Sequence, residues 1–179
     1  SFTQKEVLFD LWNNMPTSSG DYGRLRIEMS STTRQQSPFR VTLLSGAAGT
    51  VKGMYNESIG TGSDLLTSSV ADGTWNHYAF TFASGTSGIV TKLYLNGLLN
   101  HRIETGSNIG EITGAMEARI GALLTSPSGN AYRFHTSSMM AGWGNLVSCS
   151  LDEFRYWKVA RTGEEVGRSW YTQVGGGTN

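Results

Sequence analysis

The stretch Trp75-Asn76-His77-Tyr78-Ala79-Phe80-Thr81-Phe82, with Leu93-Tyr94-Leu95-Asn96-Gly97 a few residues on, decides the fold class of this 179-residue chain. Tyr78, Phe80 and Phe82 recur at every second position and oppose His77, Ala79 and Thr81. That period of two is the mark of a strand with one apolar face. Leu93 and Leu95 alternate with Tyr94 and Asn96, and the run ends on Asn96-Gly97. Both central residues of a type I′ turn need positive φ, so this pair predicts a hairpin, with Ile103 on the returning strand.

The same alternation spreads outward in both directions. Val7, Phe9 and Leu11 share one face of an early strand, and Leu25, Ile27 and Met29 share one face of the next. Arg24, Arg26 and Glu28 lie on the opposite face, which predicts a half-buried strand with its charges in water. Phe39 to Leu43 alternates likewise, Ala118, Ile120, Ala122 and Leu124 suggest a further strand, and Leu151 to Val159 reads as the last one. One short helix is expected near the end. Thr162-Gly163-Glu164-Glu165 matches a capping box, and Val166 and Trp170, four apart, can pack one helical face. No repeat of fixed period is present.

Composition agrees with an all-β chain and removes several function classes. Gly 23 and a charged fraction of 16% describe a turn-rich protein with a largely neutral polar surface. Lys+Arg 14 balance Asp+Glu 14, so the counterion-release term that drives nucleic-acid binding is missing and no nucleic-acid partner is expected. Cys149 is the single cysteine, which leaves no internal disulfide and no Cys-x-x-Cys zinc motif. No apolar run is long enough to span a bilayer, so membrane insertion is not expected. One domain is expected over residues 1–174, with a Gly-rich tail at 175–179; the chain reads as a piece cut or processed from a longer protein.

Several segments together resemble a known family. Asp72-Gly73 followed by Trp75 to Phe82 is similar to the "DG-x-W-H-x-A-x-T" strand of laminin-G-like, concanavalin A-like domains. Leu93-Tyr94-Leu95-Asn96-Gly97 is similar to their "LYVDG" hairpin, with Asn96 in place of the usual Asp, and Arg119-Ile120-Gly121 to their "IG" strand. Ser150 to Trp157 resembles "IDEVRIY", and Ala160 to Val166 resembles the "R-x-L-[ST]-x-E-E-I" that opens the closing helix. These five segments come in the family's order over residues 72–170, whereas residues 1–71 match only as a strand pattern. The resemblance implies an antiparallel two-sheet β-sandwich of jelly-roll type with one short C-terminal helix.

Catalysis finds no support in the residues. A glycoside hydrolase needs two carboxyls converging across the sugar bond. Glucanases of this fold carry them as Glu-x-Asp-x-Glu or Glu-x-Asp-x-x-Glu on one strand, and the nearest pair here, Asp152-Glu153, is adjacent and therefore on opposite faces. Glu104, Glu111 and Glu117 are scattered around turns, and there is no Gly-x-Ser-x-Gly. His77, His101 and His135 are too far apart for a local metal motif, and Cys149 reads as a small residue at or near the core. No enzyme is expected.

Binding has more to work with. Residues 126–146 form a long, low-charge connection that carries Tyr132, Phe134, His135, Met139, Met140 and Trp143. Connections of that length are commonly functional. Trp143, Tyr132, His135 and Asn130 are candidates for holding a glycan through aromatic faces and hydrogen bonds, with Asn14 and Tyr22 beside Asn13 on the early loop as a second group. The same Met and aromatic residues equally suit contacts with neighbouring subunits. By parity Asp152 shares a face with Phe154 and Tyr156, so its carboxylate needs partners. These are backbone amides or an Arg in one reading, and a structural Ca²⁺ site of the kind found in related modules in the other. Asn56-Glu57-Ser58 is a glycosylation sequon. The expected function is a recognition module of an extracellular, cell-surface or virion-surface protein that binds a glycan or surface protein ligand. The alternative is a structural protein of a virus particle or surface assembly.

Overall fold

The computed structural model describes residues 6–16, 19–29, 39–46, 55–62, 65–70, 72–105, 112–124, 146 and 149–173. Among these residues, eight strands build two antiparallel sheets: β1 (Glu6–Trp12), β2 (Gly23–Met29), β3 (Phe39–Ser45), β4 (Tyr55–Ile59), β5 (Tyr78–Ser84), β6 (Ile89–Leu95), β7 (Leu98–Thr105) and β8 (Glu117–Ile120). The order is β4-β3-β2-β1-β8 in the larger sheet and β5-β6-β7 in the smaller. β8 closes onto β1 from far along the chain, pairing Phe9 with Ile120 and Trp12 with Glu117.

The apolar faces predicted for β2, β3, β5 and β6 meet between the sheets, whereas a bulge between Val7 and Phe9 sets Val7 opposite Glu28 and away from Phe9's face, and Ile120 of β8 is half exposed. Phe9, Ile27, Met29, Phe39, Val41, Leu43, Ile59, Leu65 and Leu93 form the core, with Tyr78, Phe80, Phe82 and Ile103 packed against it. Phe39 joins the two layers, its ring centroid 4.9 Å from Tyr78 and 5.5 Å from Phe80 in edge-on contacts. Each such buried side chain contributes about 1.5–3 kcal/mol relative to exposure. The Asn96-Gly97 turn forms as expected, with φ of 48° and 82°.

The charged face of β2 departs from expectation. Arg24, Arg26 and Glu28 are as buried as the core residues, and so are Glu6 and Asp10 of β1. The Asp10 carboxylate receives Arg24 Nε at 2.8 Å and Nη2 at 2.5 Å, and also the amide of Leu124 at 2.8 Å. Arg26 Nε lies 2.9 Å from Glu28 Oε2. Burial alone would pull the Arg24 guanidinium down, but its hydrogen bond and charge pairing with Asp10 hold it above its ordinary value. Alternation correctly placed Arg24, Arg26 and Glu28 on one face. It could not show that Leu124, just past β8, would bring its amide onto Asp10 on that face.

Helix α2 (Gly163–Ser169) has the full capping box: Thr162 Oγ1 accepts from the Glu165 amide at 3.2 Å and Glu165 Oε2 accepts from the Thr162 amide at 2.8 Å. A second helical turn, α1 (Thr67–Val70), was not expected. The predicted strand Leu151 to Val159 is not one. Its backbone turns through a positive φ of 53° at Glu153 and no ladder is formed with a described residue. The segment is held by side chains instead. The Phe154 and Tyr156 rings lie 5.1 and 5.9 Å from Phe9, and Arg155 donates to the carbonyls of Ser169, at 3.1 Å, and Thr172 at the end of α2.

Candidate functional site

Two loop clusters carry the side chains capable of recognition, and they are built differently. The first is the β1–β2 connection, which contains Asn13, Asn14 and Tyr22. Asn13 Nδ2 donates to the carbonyls of Asp21 (2.5 Å) and Thr113 (3.1 Å), while its Oδ1 accepts from the amides of Gly23 (3.0 Å) and Met15 (3.4 Å). Its hydrogen-bonding capacity is used up internally. Tyr22 is buried, and burial pushes its phenol up despite the nearby Arg24 charge. Expected as an exposed aromatic face, Tyr22 is a core residue whose ring is closed to a ligand. Asn14 is exposed, in the left-handed region at φ 60°.

The second cluster joins residues 72–77, the Asn96-Gly97 turn and the end of α2. A directed relay of side chains runs through it. Asn96 Nδ2 donates to Asn76 Oδ1 (3.0 Å), Asn76 Nδ2 to Thr74 Oγ1 (3.2 Å), and Thr74 Oγ1 to Asp72 Oδ1 (2.7 Å). The Thr74 hydroxyl and amide hold the Asp72 carboxyl below its ordinary range. Asn96 also clasps the strand start, its Oδ1 accepting from the His77 amide at 2.8 Å and its own amide donating to the His77 carbonyl at 2.9 Å. Glycine at position 97 lets Trp170 lie directly on the turn, since a Cβ there would stand 2.2 Å from Trp170 Cδ1. His77 and Tyr171 flank that indole, with centroids 6.4 and 5.7 Å away. Burial, and then the Arg155 charge, depress the His77 imidazole, which is therefore neutral near pH 7.

Around these connected groups the aromatic surface is open. Trp75 is 72% exposed, Tyr171 68% and Trp170 38%. In the sequence, Trp75 stands out as part of the family motif and Trp170 as a helix-packing residue. Neither reading brings Trp170 to the Asn96-Gly97 turn, because it meets the turn only through tertiary contact.

The acids are engaged elsewhere. Glu104 pairs with Arg102 at 2.6 Å, Glu165 with Arg161 at 2.8 Å, and Glu164 with Arg168. Asp10 and Glu28 are enclosed, so a sugar has no access to either carboxylate. Asp152 does not face the core, contrary to the parity argument: it is exposed, like Phe154 and Tyr156, and its Oδ1 accepts the Glu153 amide at 2.8 Å. Parity fails because the backbone is not extended at Glu153. No group of three His, Cys, Asp or Glu residues stands together among the described residues, and Asp152 belongs to no such group there. Cys149 is also exposed rather than in the core, with its thiol raised by partial burial and by Glu6. Trp143, Tyr132, His135 and Asn130 lie outside the described residues. No helix among the described residues is long and apolar enough to cross a membrane.

Comparison with known proteins bears on this geometry. The laminin G-type family model described as the concanavalin A-like lectin/glucanases superfamily matches residues 9–167. Among solved structures, the chain is similar to an S-layer domain-containing protein (residues 221–444) from Clostridium thermocellum, with 17% identity and a TM-score of 0.37. That similarity covers 92% of this chain and 62% of the other. A comparison with curated proteins finds no match.

Proposed function

The chain belongs to the concanavalin A-like lectin/glucanases superfamily, and on that premise we propose that it is a non-catalytic recognition module of a secreted, cell-surface or virion-surface protein, binding a glycan or another surface ligand through loops at the sandwich end. The observation that carries this reading is a division of labour among side chains. Carboxylates at Asp10, Glu28, Glu104 and Glu165 are paired with arginines. Large aromatic faces at Trp75 and Tyr171 are open on turns. Sugars are held by such faces together with neutral hydrogen-bonding groups, whereas hydrolysis needs two accessible acids converging on one bond. The experiment is a glycan array probed with the whole chain, with hydrolysis of bound glycans followed in parallel. Binding without hydrolysis is the expected result. Hydrolysis lost on Glu153→Gln would replace this reading with catalysis.

A second reading is favoured by one observation of its own. Leu151, Phe154, Tyr156, Trp157 and Val159 are all 43% exposed or more along a single segment. Contiguous apolar exposure of this kind marks an interaction surface. It suits a structural role in a virus particle or surface assembly, with subunits meeting there and through the aromatic and Met residues of 126–146. Solution mass separates the two: a defined oligomer that dissociates on Tyr156→Ser or Trp143→Ala supports assembly, and a monomer supports the recognition module.

A further inference from the structure

The cluster at the Asn96-Gly97 turn has features that exposed apolar surface alone lacks. Its most exposed ring, Trp75, lies between two residues pinned by side-chain hydrogen bonds, Thr74 to Asp72 and Asn76 to Thr74 and Asn96. An aromatic whose backbone is fixed before a ligand arrives loses little freedom on binding, which favours affinity. Trp170 is seated on Gly97, and Tyr171 stands edge-on to it at 84°. The rings are therefore held in different planes rather than in one flat greasy patch.

The polar groups beside these rings are neutral. Each carboxamide of Asn76 and Asn96 has two N–H donors, and one on each serves the relay, leaving a second on each for an incoming hydroxyl. His77 is kept uncharged by burial and by Arg155. Arg155 itself is occupied by the Ser169 and Thr172 carbonyls, and Asp72 by the Thr74 hydroxyl and amide. A ligand here meets aromatic faces and amide donors beside the Asp72 carboxylate, whose charge is held by the neutral Thr74 donors alone and would repel an anion. That chemistry matches a neutral pyranose, whose C–H face stacks on a ring while its hydroxyls accept from amides. It suits an anionic sugar poorly, since such a ligand would bury its charge without a partner.

We propose that Trp75, Trp170 and Tyr171, with Asn76 and Asn96, form a binding site for a neutral pyranose unit of a glycan. The proposal rests on the recognition reading above and adds to it a place and a class of sugar. The test uses the whole chain with methyl glycosides of glucose, galactose, mannose and N-acetylglucosamine at millimolar concentrations, and methyl glucuronide as the anionic control. Binding is followed by the indole N–H resonances in ¹H–¹⁵N spectra.

At least one neutral glycoside is expected to move the Trp75 and Trp170 indole signals saturably, and glucuronide no more strongly than glucoside. Trp75→Ala and Tyr171→Ala are each expected to weaken binding tenfold or more, while Trp75→Phe recovers part of the loss. Both variants change exposed side chains, so unchanged backbone spectra will show that the fold is retained. Glycan binding on the array that survives both alanine variants would place the sugar elsewhere, overturning this site and leaving the recognition reading intact. No binding of any glycan by the wild-type chain would remove the site and the glycan form of that reading together. Indole shifts produced by a protein ligand but by no glycoside would reassign the cluster to protein recognition.

Discussion

The outer face of the five-stranded sheet and the surface around the Asn96-Gly97 turn reverse the usual distribution of polarity. In the first, Asp10, Arg24, Arg26 and Glu28 are sealed from water. In the second, Trp75, Trp170 and Tyr171 stand open to it. The charges tolerate enclosure because they are paired, with Asp10 receiving both an arginine and a backbone amide. The rings are kept in place because the chain beneath them is tied by amides and a glycine contact rather than by burial. Hydrophobicity alone therefore identifies neither region, and what surrounds a side chain decides whether it stabilises the fold or meets a partner.

Removing one partner of the enclosed pair gives the sharpest test of that contrast. Asp10→Ala leaves the Arg24 guanidinium buried and uncompensated and is expected to cost about 3–5 kcal/mol in urea unfolding. The double variant Asp10→Leu with Arg24→Met is expected to regain much of that loss, because a buried ion pair is commonly no better than an apolar replacement. A loss below about 1 kcal/mol in the single variant would show a solvated surface pair and collapse the comparison.

At the turn, Gly97→Ala adds a Cβ against the Trp170 indole at a backbone φ of 82°. A loss of about 1–3 kcal/mol is expected, with altered Trp fluorescence as the ring is displaced. Thr162→Ala removes the Glu165 amide's acceptor in the capping box and is expected to cost about 1 kcal/mol, measured by thermal unfolding. Trp75→Ala is expected to change stability by no more than about 0.5 kcal/mol despite losing the most exposed indole of the cluster, which separates binding from folding there.

The smallest expected effect is one of pH. The folded His77 imidazole titrates below its ordinary 6.5 because of burial and then Arg155. The unfolded chain thus takes up its proton first. Stability is intact above pH 6.5 and falls as pH drops through that value toward the lower folded one. His77→Gln is expected to flatten that part of the stability–pH curve, read by urea midpoints across the window. Tyr78 works in the opposite direction. Its phenol is pushed up to about 12, by burial first and then by the Asp72 charge, so it favours the fold until alkaline pH and that contribution is lost as pH rises from 10 through 12.

Much of the sandwich was legible in local patterns. Phe39, Val41, Leu43, Ile27, Met29 and Leu93 sit in the core where alternation puts them, the hairpin turns on Asn96-Gly97, and Thr162 with Glu165 caps the helix. The family match reaches back to residue 9, into a region whose residues carry only a strand rhythm. Strand parity, turn chemistry and capping act between residues a few positions apart, so a linear reading can find them.

The sequence by itself determined the strand rhythm, the inward faces of β2, β3 and β6, the hairpin turn and the helix cap, because backbone geometry over a few residues dictates each of them, and its resemblance to a family supplied the sandwich. Only the tertiary structure decided that β2's charges are enclosed, that residues 151–159 are tied by Arg155 and two rings instead of a ladder, that Asn13 and Tyr22 serve the fold, and that Trp170 is seated on the Asn96-Gly97 turn. Those outcomes depend on which distant segment lies over which face. The Asp10 bond to Leu124 spans 114 residues, and pattern reading has no access to contacts made at that separation.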